Sequence, residues 1–151
     1  AIHIAASQLR GFMTEQDYKT FFDDAPLALL RTDLETGQFL MANKFAATLL
    51  GCDSVEDLLT KKSSDFYSAS IRNKMIRKLK KNGTIQDQEI EMNVNGKHIW
   101  VKANLRINCG GTCVECFLTD VTELVEMRER ELLKMKCLSD KIDVKMAALA
   151  S

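Results

Sequence analysis

The sequence has no net charge, because its 21 lysine and arginine residues balance 21 aspartate and glutamate residues. A broad surface for nucleic acid needs an excess of positive charge, so this balance argues against nucleic acid as a partner. No apolar run approaches the length that spans a membrane, and no signal peptide is visible. The five cysteines lack the regular spacing of a disulfide framework. These absences predict free thiols, a cytoplasmic location and no direct membrane contact.

The five residues Thr119 to Glu123 mark a change from strand to helix, and neither glycine nor proline interrupts it. An apolar run, Cys113 to Leu118, precedes them, and a charged stretch with apolar residues at helical spacing follows. Asp120 is the predicted N-cap of that helix, with Glu123 completing a capping box. A change in the sheet would therefore reach the helix directly. The predicted signal junction consists of Asp120, Val121, Thr122 and Glu123.

The first part of the chain predicts short helices around one pair of strands. Thr14 caps a helix that ends before Pro26, and Asp17 stands at its third position. Its apolar face carries Tyr18, Phe21 and Phe22. The strands are Leu27–Leu34 and Phe39–Ala42, and the later helices are Lys44–Leu50, Val55–Leu59 and Ile71–Lys81.

After Gly83 the apolar period becomes two, and two turn signals set the pairing of three strands. A two-residue loop at Asn95-Gly96 pairs Met92 with Ile99, Ile90 with Val101, Glu91 with Trp100 and Glu89 with Lys102. A turn at Gly110-Gly111 pairs Ile107 with Val114, Leu105 with Cys116, Ala103 with Leu118 and Arg106 with Glu115. Both registers bury apolar residues together and match opposite charges.

These elements predict an α+β fold with a five-stranded antiparallel sheet and helices on one face. The inner face of the sheet carries neither charge nor amide in its last three strands. A ligand pocket, if present, would be lined by Met75, Leu79, Ile90, Met92, Val101, Ala103, Leu105, Cys116 and Leu118. The outer face exposes Trp100 and Phe117, which predicts a cover from the N-terminal helix, of the same chain or of a second subunit.

Three motifs resemble those of the PAS sensor domains. They are Met41–Ala46 with Leu49-Leu50-Gly51, then Gly96–Val101, and finally Thr119–Glu123, which is similar to the family's D-I-T-E ending. The resemblance implies a signal-input or dimerisation module rather than an enzyme. It divides the chain into a leader (1–13), an N-terminal flanking helix (14–26), a PAS domain (27–122) and a C-terminal signalling helix or coiled coil (123–151).

The spacing of Cys109, Cys113 and Cys116 is that of radical S-adenosylmethionine enzymes and would suggest an iron–sulfur cluster. The predicted register argues against a cluster, because Cys113 and Cys116 point to opposite faces of one strand. Three incidental thiols and no metal site are the favoured interpretation.

The family resemblance implies haem, flavin, a small acid or no ligand. The helix Ile71–Lys81 offers no histidine for haem, and Ser63–Tyr67 replaces the Asn-Cys-Arg motif of the photosensory flavin proteins. Citrate-like ligands need inward polar groups, which the strands do not offer. We therefore predict a filled apolar core without a cofactor, while non-covalent flavin or a small apolar ligand stays open. The basic run from Arg72 to Lys81 is interpreted as a solvated helix face.

The C-terminal helix carries a loose heptad repeat, which predicts a parallel homodimeric coiled coil. Its first positions are Val121, Arg128, Met135, Ile142 and Leu149. Leu124 and Leu138 fill the second position, which Glu131 and Lys145 interrupt. A helix folded back on its own domain is the alternative. The predicted dimer residues are Tyr18, Phe21, Phe22, Trp100, Phe117, Met135, Leu138 and Ile142.

Together these features predict the input domain of a bacterial signalling protein that relays ligand or redox state to an output domain outside this segment. Ala1 and Ser151 are interpreted as cut ends of a longer chain. The segment Lys145–Ser151 resembles the stretch before the phospho-accepting histidine of histidine kinases. A histidine kinase is therefore favoured over a diguanylate cyclase. The alternatives are a non-sensing PAS scaffold and, third, a thiol or iron–sulfur redox protein.

Overall fold

The computed structural model describes residues 14–150, so the predicted leader lies outside the described residues. The helices are α1 (Glu15–Asp24), α2 (Lys44–Leu49), α3 (Val55–Leu58), α4 (Ala69–Asn82) and α5 (Thr122–Ala150). The strands are β1 (Ala28–Asp33), β2 (Phe39–Ala42), β3 (Thr84–Val94), β4 (Lys97–Asn108) and β5 (Cys113–Asp120). Single 3₁₀ turns occupy Ser63–Asp65 and Cys109–Gly111. The predicted α+β class and element order are confirmed.

The five strands form one antiparallel sheet in the order β2-β1-β5-β4-β3. Both predicted hairpin registers are confirmed, including Glu91 opposite Trp100 and Arg106 opposite Glu115. The strand that leads into α5 is therefore the central one, paired with β1 on one side and β4 on the other.

The helix caps follow the local sequence. At α1, Asp17 N donates to Thr14 Oγ1 at 3.1 Å and Thr14 N donates to Asp17 Oδ2 at 2.9 Å, which confirms the predicted capping box. Ser68 caps α4, so that helix begins two residues before the predicted start at Ile71. Gly83 ends α4 in the left-handed region at φ 79°, a conformation that suits glycine.

The side chain of Asn43 is fully buried and connects three elements. Its Oδ1 accepts from Leu29 N at 3.1 Å and from Ala46 N at 2.9 Å. Its Nδ2 donates to Phe22 O at 3.0 Å and to Leu27 O at 2.9 Å. The amide therefore caps α2 while it binds the end of α1 and the start of β1, and its two donors and one acceptor oxygen are satisfied.

The core lies between the helices and the inner sheet face, where the predicted apolar residues are buried. The outer face is covered only in part. Phe22 of α1 lies beside Phe117 in a shallow depression, but Tyr18 and Phe21 remain 60% and 70% exposed. The predicted cover by α1 is thus limited to Phe22 within one chain, because the bond to Asn43 fixes the end of α1 near β1.

Asn43→Ala removes all four side-chain hydrogen bonds and leaves two amides and two carbonyls without their partner. We expect a loss of about 3 kcal/mol in the free energy of unfolding, measured by urea denaturation. Asn73→Ala is the matched control, because Asn73 is exposed on α4, and it should stay within about 0.5 kcal/mol. Equal effects of the two substitutions would contradict the role assigned to Asn43.

Candidate functional site

The junction between β5 and α5 is held by side-chain bonds to the neighbouring strand. Asp120 Oδ1 accepts from Thr122 N at 2.9 Å and from Thr122 Oγ1 at 2.6 Å. Thr122 Oγ1 in turn accepts from Trp100 N at 3.0 Å, and Val121 N donates to Trp100 O at 2.9 Å. The first residues of α5 are therefore bonded to β4 as well as continuous with β5.

The predicted capping box at this junction is replaced by another arrangement. The helix begins at Thr122, and Val121 O accepts its first helical bond, from Val125 N at 2.9 Å. Asp120 is the last residue of β5, and its partner is Thr122 rather than Glu123. The cause is the β4 backbone: Thr122 turns its hydroxyl toward Trp100, which brings the amide and hydroxyl of Thr122 to the same carboxylate oxygen.

Only the first two turns of α5 pack on the domain. Val121 and Val125 are buried, and Arg128 Nη2 donates to Glu89 Oε1 at 2.7 Å. Residues 126–150 are all exposed. The alternative of a helix folded back along its length is therefore wrong. The part of the predicted heptad repeat that is free to contact a second helix is also shorter than predicted, because Val121 and Arg128 contact the chain's own sheet. This apolar seam of the helix therefore begins after Arg128.

A cavity of about 40 Å³ lies between α4 and the inner face of the sheet. Seven predicted lining residues border it, namely Met75, Leu79, Ile90, Met92, Leu105, Cys116 and Leu118. Val101 and Ala103, also predicted, are fully buried but do not border it. The space holds a few water molecules or a ligand of a few heavy atoms.

One end of the cavity is polar, which the sequence did not predict. Thr32 on β1 faces inward, so the expectation that strands offer no inward polar group is wrong for β1. Arg72 is not a freely solvated cation: its Nη2 donates to Leu34 O at 2.7 Å, and the side chain borders the cavity. This contact spans 38 residues of sequence, beyond the reach of helical periodicity.

Ser63 and Tyr67 complete the polar end. Ser63 is 4% exposed, and its Oγ has no hydrogen bond of ordinary geometry. Burial raises the pKa of Tyr67, and the nearby Ser63 hydroxyl opposes that shift. Gly37 makes room for this group, since a Cβ there would lie 2.4 Å from Ser63 Oγ and 3.0 Å from Arg72 Nε. The cavity thus joins hydroxyl groups and a guanidinium at one end to an apolar body.

The cysteines divide into two kinds. Cys109 and Cys113 form a disulfide, so the prediction of free thiols is wrong for this pair. Cys116 lies on the opposite face of β5 from Cys113, as the register predicted, and burial raises its pKa to about 12. Its thiol is therefore neutral and unreactive at ordinary pH. Within residues 14–150, no group of three or more His, Cys, Asp and Glu side chains is arranged to hold a metal ion.

The family model of the PAS domain matches residues 26–123, about two thirds of the chain. The chain belongs to the PAS domain family. No curated protein sequence matches it. In the part of this PAS protein that the structure describes, no helix is long and apolar enough to cross a bilayer.

Solved PAS domains share this fold at low sequence identity. One, from a two-component sensor histidine kinase, has a TM-score of 0.60 at 14% identity and covers 76% of this chain and 98% of its own. A sensory box domain of a histidine kinase/response regulator from Geobacter sulfurreducens has a TM-score of 0.59 at 15% identity, covering 70% and 92%. An RNA-binding light-oxygen-voltage receptor has a TM-score of 0.62 at 23% identity, covering 89% and 38%. These likenesses establish the fold.

The pKa of Cys116 leads to a prediction for alkaline stability. Its folded value of about 12 lies above the ordinary 9.0, so the folded state retains a proton that the unfolded state releases. Stability should therefore fall as pH rises above 9, by about 1.4 kcal/mol between about pH 8 and pH 10 from this group. Cys116→Val should lose that part of the pH dependence in urea unfolding. Cys137→Ala, at an exposed position, should keep it; identical pH profiles for the wild type and Cys116→Val would contradict the assignment.

Proposed function

We propose that this PAS domain is a sensory module that relays its state through α5 to an output domain in the same protein. The observation that carries the proposal is the junction, where the central strand continues into α5 while Thr122 is bonded to β4. A shift between β4 and β5 would move both Trp100 and Asp120, and Thr122 bonds to each of them. The position of Thr122, the first residue of α5, thus depends on how β4 and β5 lie relative to each other. Such relay requires an element with two discrete arrangements.

The exposed part of α5 supports a homodimer. Met135, Leu138 and Ile142 are 67%, 61% and 52% exposed and fall at heptad spacing. A helix of 29 residues extends about 44 Å, most of it beyond the domain. A second copy in parallel would bury this seam, and the remaining exposed aromatics of α1 would extend the interface. The shortened seam starts after Arg128, so it does not compete with the Arg128–Glu89 ion pair.

The input is proposed to be a small ligand or a redox change rather than a flavin. The cavity's size supports a compound of few heavy atoms, and its polar end supplies the guanidinium of Arg72 and the hydroxyl of Ser63. A histidine kinase is the favoured output, and a diguanylate cyclase is second. Two similar solved domains come from histidine kinases, and Lys145–Ser151 resembles the segment before a phospho-accepting histidine. We expect no catalysis in this segment, no nucleic-acid partner and a cytoplasmic location.

A non-sensing dimerisation module is the second candidate, and the small cavity favours it. Native mass spectrometry of the protein as isolated separates the two candidates on the ligand side. A stoichiometric added mass that disappears in Arg72→Ala would support a ligand sensor. Equal masses for the isolated and refolded chains would favour the scaffold or a redox input.

The dimer proposal predicts opposite effects at two leucines of α5. Leu138 lies in the seam, and Leu133 lies on the opposite face with nearly the same exposure, 61% against 62%. Leu138→Asp should place a charge in the interface and shift the chain toward monomer in light scattering at micromolar concentration. Leu133→Asp should remain dimeric. A monomeric wild-type chain, or loss of the dimer in both variants, would contradict the seam.

The relay proposal predicts that the first turn of α5 loosens locally when the side-chain hydrogen bonds at the junction are removed. Asp120→Ala and Thr122→Val each remove bonds at the first turn, worth about 1 kcal/mol. Amide hydrogen exchange should quicken from Val121 to Val125 and at Trp100, whereas residues beyond Met135 should stay protected by the dimer. Thr119→Ala, at an exposed neighbouring position, is the control. Unchanged exchange at Val121–Val125 in both variants would remove the physical basis of the relay.

A further inference from the structure

The loop between β4 and β5 contains a chemical group that the proposed relay does not use. Cys109 and Cys113 are joined there, with their Cα atoms 5.5 Å apart, inside the range that disulfides adopt. We propose that this pair is a reversible redox modification site, reduced by small thiols and oxidised by small disulfides, and that its state reaches the polar end of the cavity. The effect on α5 rests on the proposed function, but the chemistry of the pair does not.

The two sulfurs differ in solvent exposure, which determines which of them a small thiolate can attack. Cys109 is exposed at the tip of the hairpin, whereas Cys113 is 1% exposed. A small thiolate therefore attacks Cys109 Sγ. That attack forms a mixed disulfide and breaks the Cys109–Cys113 bond, with the electron pair leaving on Cys113 Sγ. A second thiolate then attacks the small-molecule sulfur of the mixed disulfide and releases Cys109. Two thiolates become one small disulfide, and two electrons and two protons produce the two cysteine thiols.

The loop is held in a conformation that the disulfide favours. Cys109, Gly110 and Gly111 are consecutive residues with φ of 56°, 65° and 93°. The left-handed region suits glycine, but it is costly for a cysteine. Hydrogen bonds from Cys109 N to Asn108 Oδ1 at 2.9 Å and from Thr112 Oγ1 to Cys109 O at 2.7 Å support this shape. Reduction removes the covalent restraint, and Cys109 is then free to leave the left-handed region.

A short chain of hydrogen bonds connects the loop to the cavity. Leu34 N donates to Thr112 O at 3.0 Å, inside the ring that the disulfide closes. Leu34 O accepts from Arg72 Nη2 at 2.7 Å, and Arg72 borders the cavity. Movement of Thr112 would therefore weaken the Leu34 bond and release the end of β1 next to Arg72. The link passes through the backbone of one buried residue, so it is testable at a single amide.

The other cysteines do not offer the same chemistry. Cys116 is buried on the inner face, and its raised pKa keeps it as an unreactive thiol. Burial also raises the pKa of Cys52, and Cys137 lies apart on α5. The pair closes a ring of only a few residues at the sheet's end, and such short rings restrict the unfolded chain least. Cys113 is buried but lies outside the apolar cluster on the inner face of the sheet, so the fold should persist in both redox states.

The test uses the full chain with Cys52 and Cys137 replaced by serine, equilibrated in mixtures of reduced and oxidised dithiothreitol. Free thiols are then blocked with iodoacetamide and counted by mass spectrometry. We expect two fewer blocked thiols in the most oxidising mixture than in the most reducing one, one for each cysteine of the pair. The thiol count should change between these limits in a single two-electron transition. Cys109→Ser and Cys113→Ser should each abolish the transition. A pair that stays unbonded in oxidised dithiothreitol, or stays bonded in excess reduced dithiothreitol while folded, would overturn the proposal.

Hydrogen exchange at Leu34 tests the connection to the cavity. We expect its amide to lose protection on reduction, while the amide of Asn43, which bonds Leu29 O, keeps its protection. In the Cys109→Ser variant the Leu34 amide should be unprotected in either buffer. Equal protection of Leu34 in both redox states would overturn the coupling. If the Leu34 test fails while the light-scattering test of the dimer and the exchange test of the junction succeed, the redox coupling is wrong and the relay proposal is unaffected.

Discussion

The buried amide of Asn43 is the interaction on which the arrangement of this domain most depends. An asparagine side chain offers one carbonyl oxygen and two N–H donors, and here they reach the end of α1, the start of β1 and the first turn of α2. Leu29, which donates to this amide, pairs directly with Phe117 of β5. The position of the central strand is therefore linked to the Asn43 side chain, and loss of that side chain would leave several backbone groups without a hydrogen-bond partner in the core.

The central strand β5 connects the disulfide loop, the cavity and the start of α5. Its first residue, Cys113, is disulfide-bonded at the hairpin; Cys116 borders the cavity; and Asp120 ends the strand at the helix junction. Eight residues of strand separate the loop from the helix by about 27 Å. In the proposed relay, β5 is the hydrogen-bonded element that joins the loop and the cavity to α5. This single-strand connection follows from the strand order, which places β5 between β1 and β4.

Helix α5 has two physical environments. Its first two turns are fixed to the domain through Val121, Val125 and the Arg128–Glu89 ion pair. Beyond them the helix is exposed on all sides and carries more large apolar side chains than solvent favours. These exposed apolar side chains are the basis of the proposed dimer, and the fixed first turns determine the angle at which the helix leaves the domain. The proposed dimer contact and the proposed relay junction therefore lie in different parts of one helix.

Local sequence determined much of this protein. Period-two runs with Asn95-Gly96 and Gly110-Gly111 between them determined both hairpin registers, because each side-chain face must be buried or exposed together. Thr14 and Asp17 determined the cap of α1, and the uninterrupted passage from β5 determined that a helix follows at Thr122. Three motifs were enough to indicate the PAS family, and most of the predicted pocket residues border the cavity.

Tertiary structure alone decided the polar features of the site. The bonds of Asn43 to Phe22 and Leu27, of Arg72 to Leu34 and of Thr122 to Trp100 join residues 16 to 38 positions apart. Periodicity reports which face of an element is apolar, but a hydrogen bond between distant elements depends on how those elements pack. The disulfide likewise required a left-handed turn at Cys109, which no spacing rule indicates. Sequence pattern thus determined where the chain is buried, and packing decided which polar groups meet there.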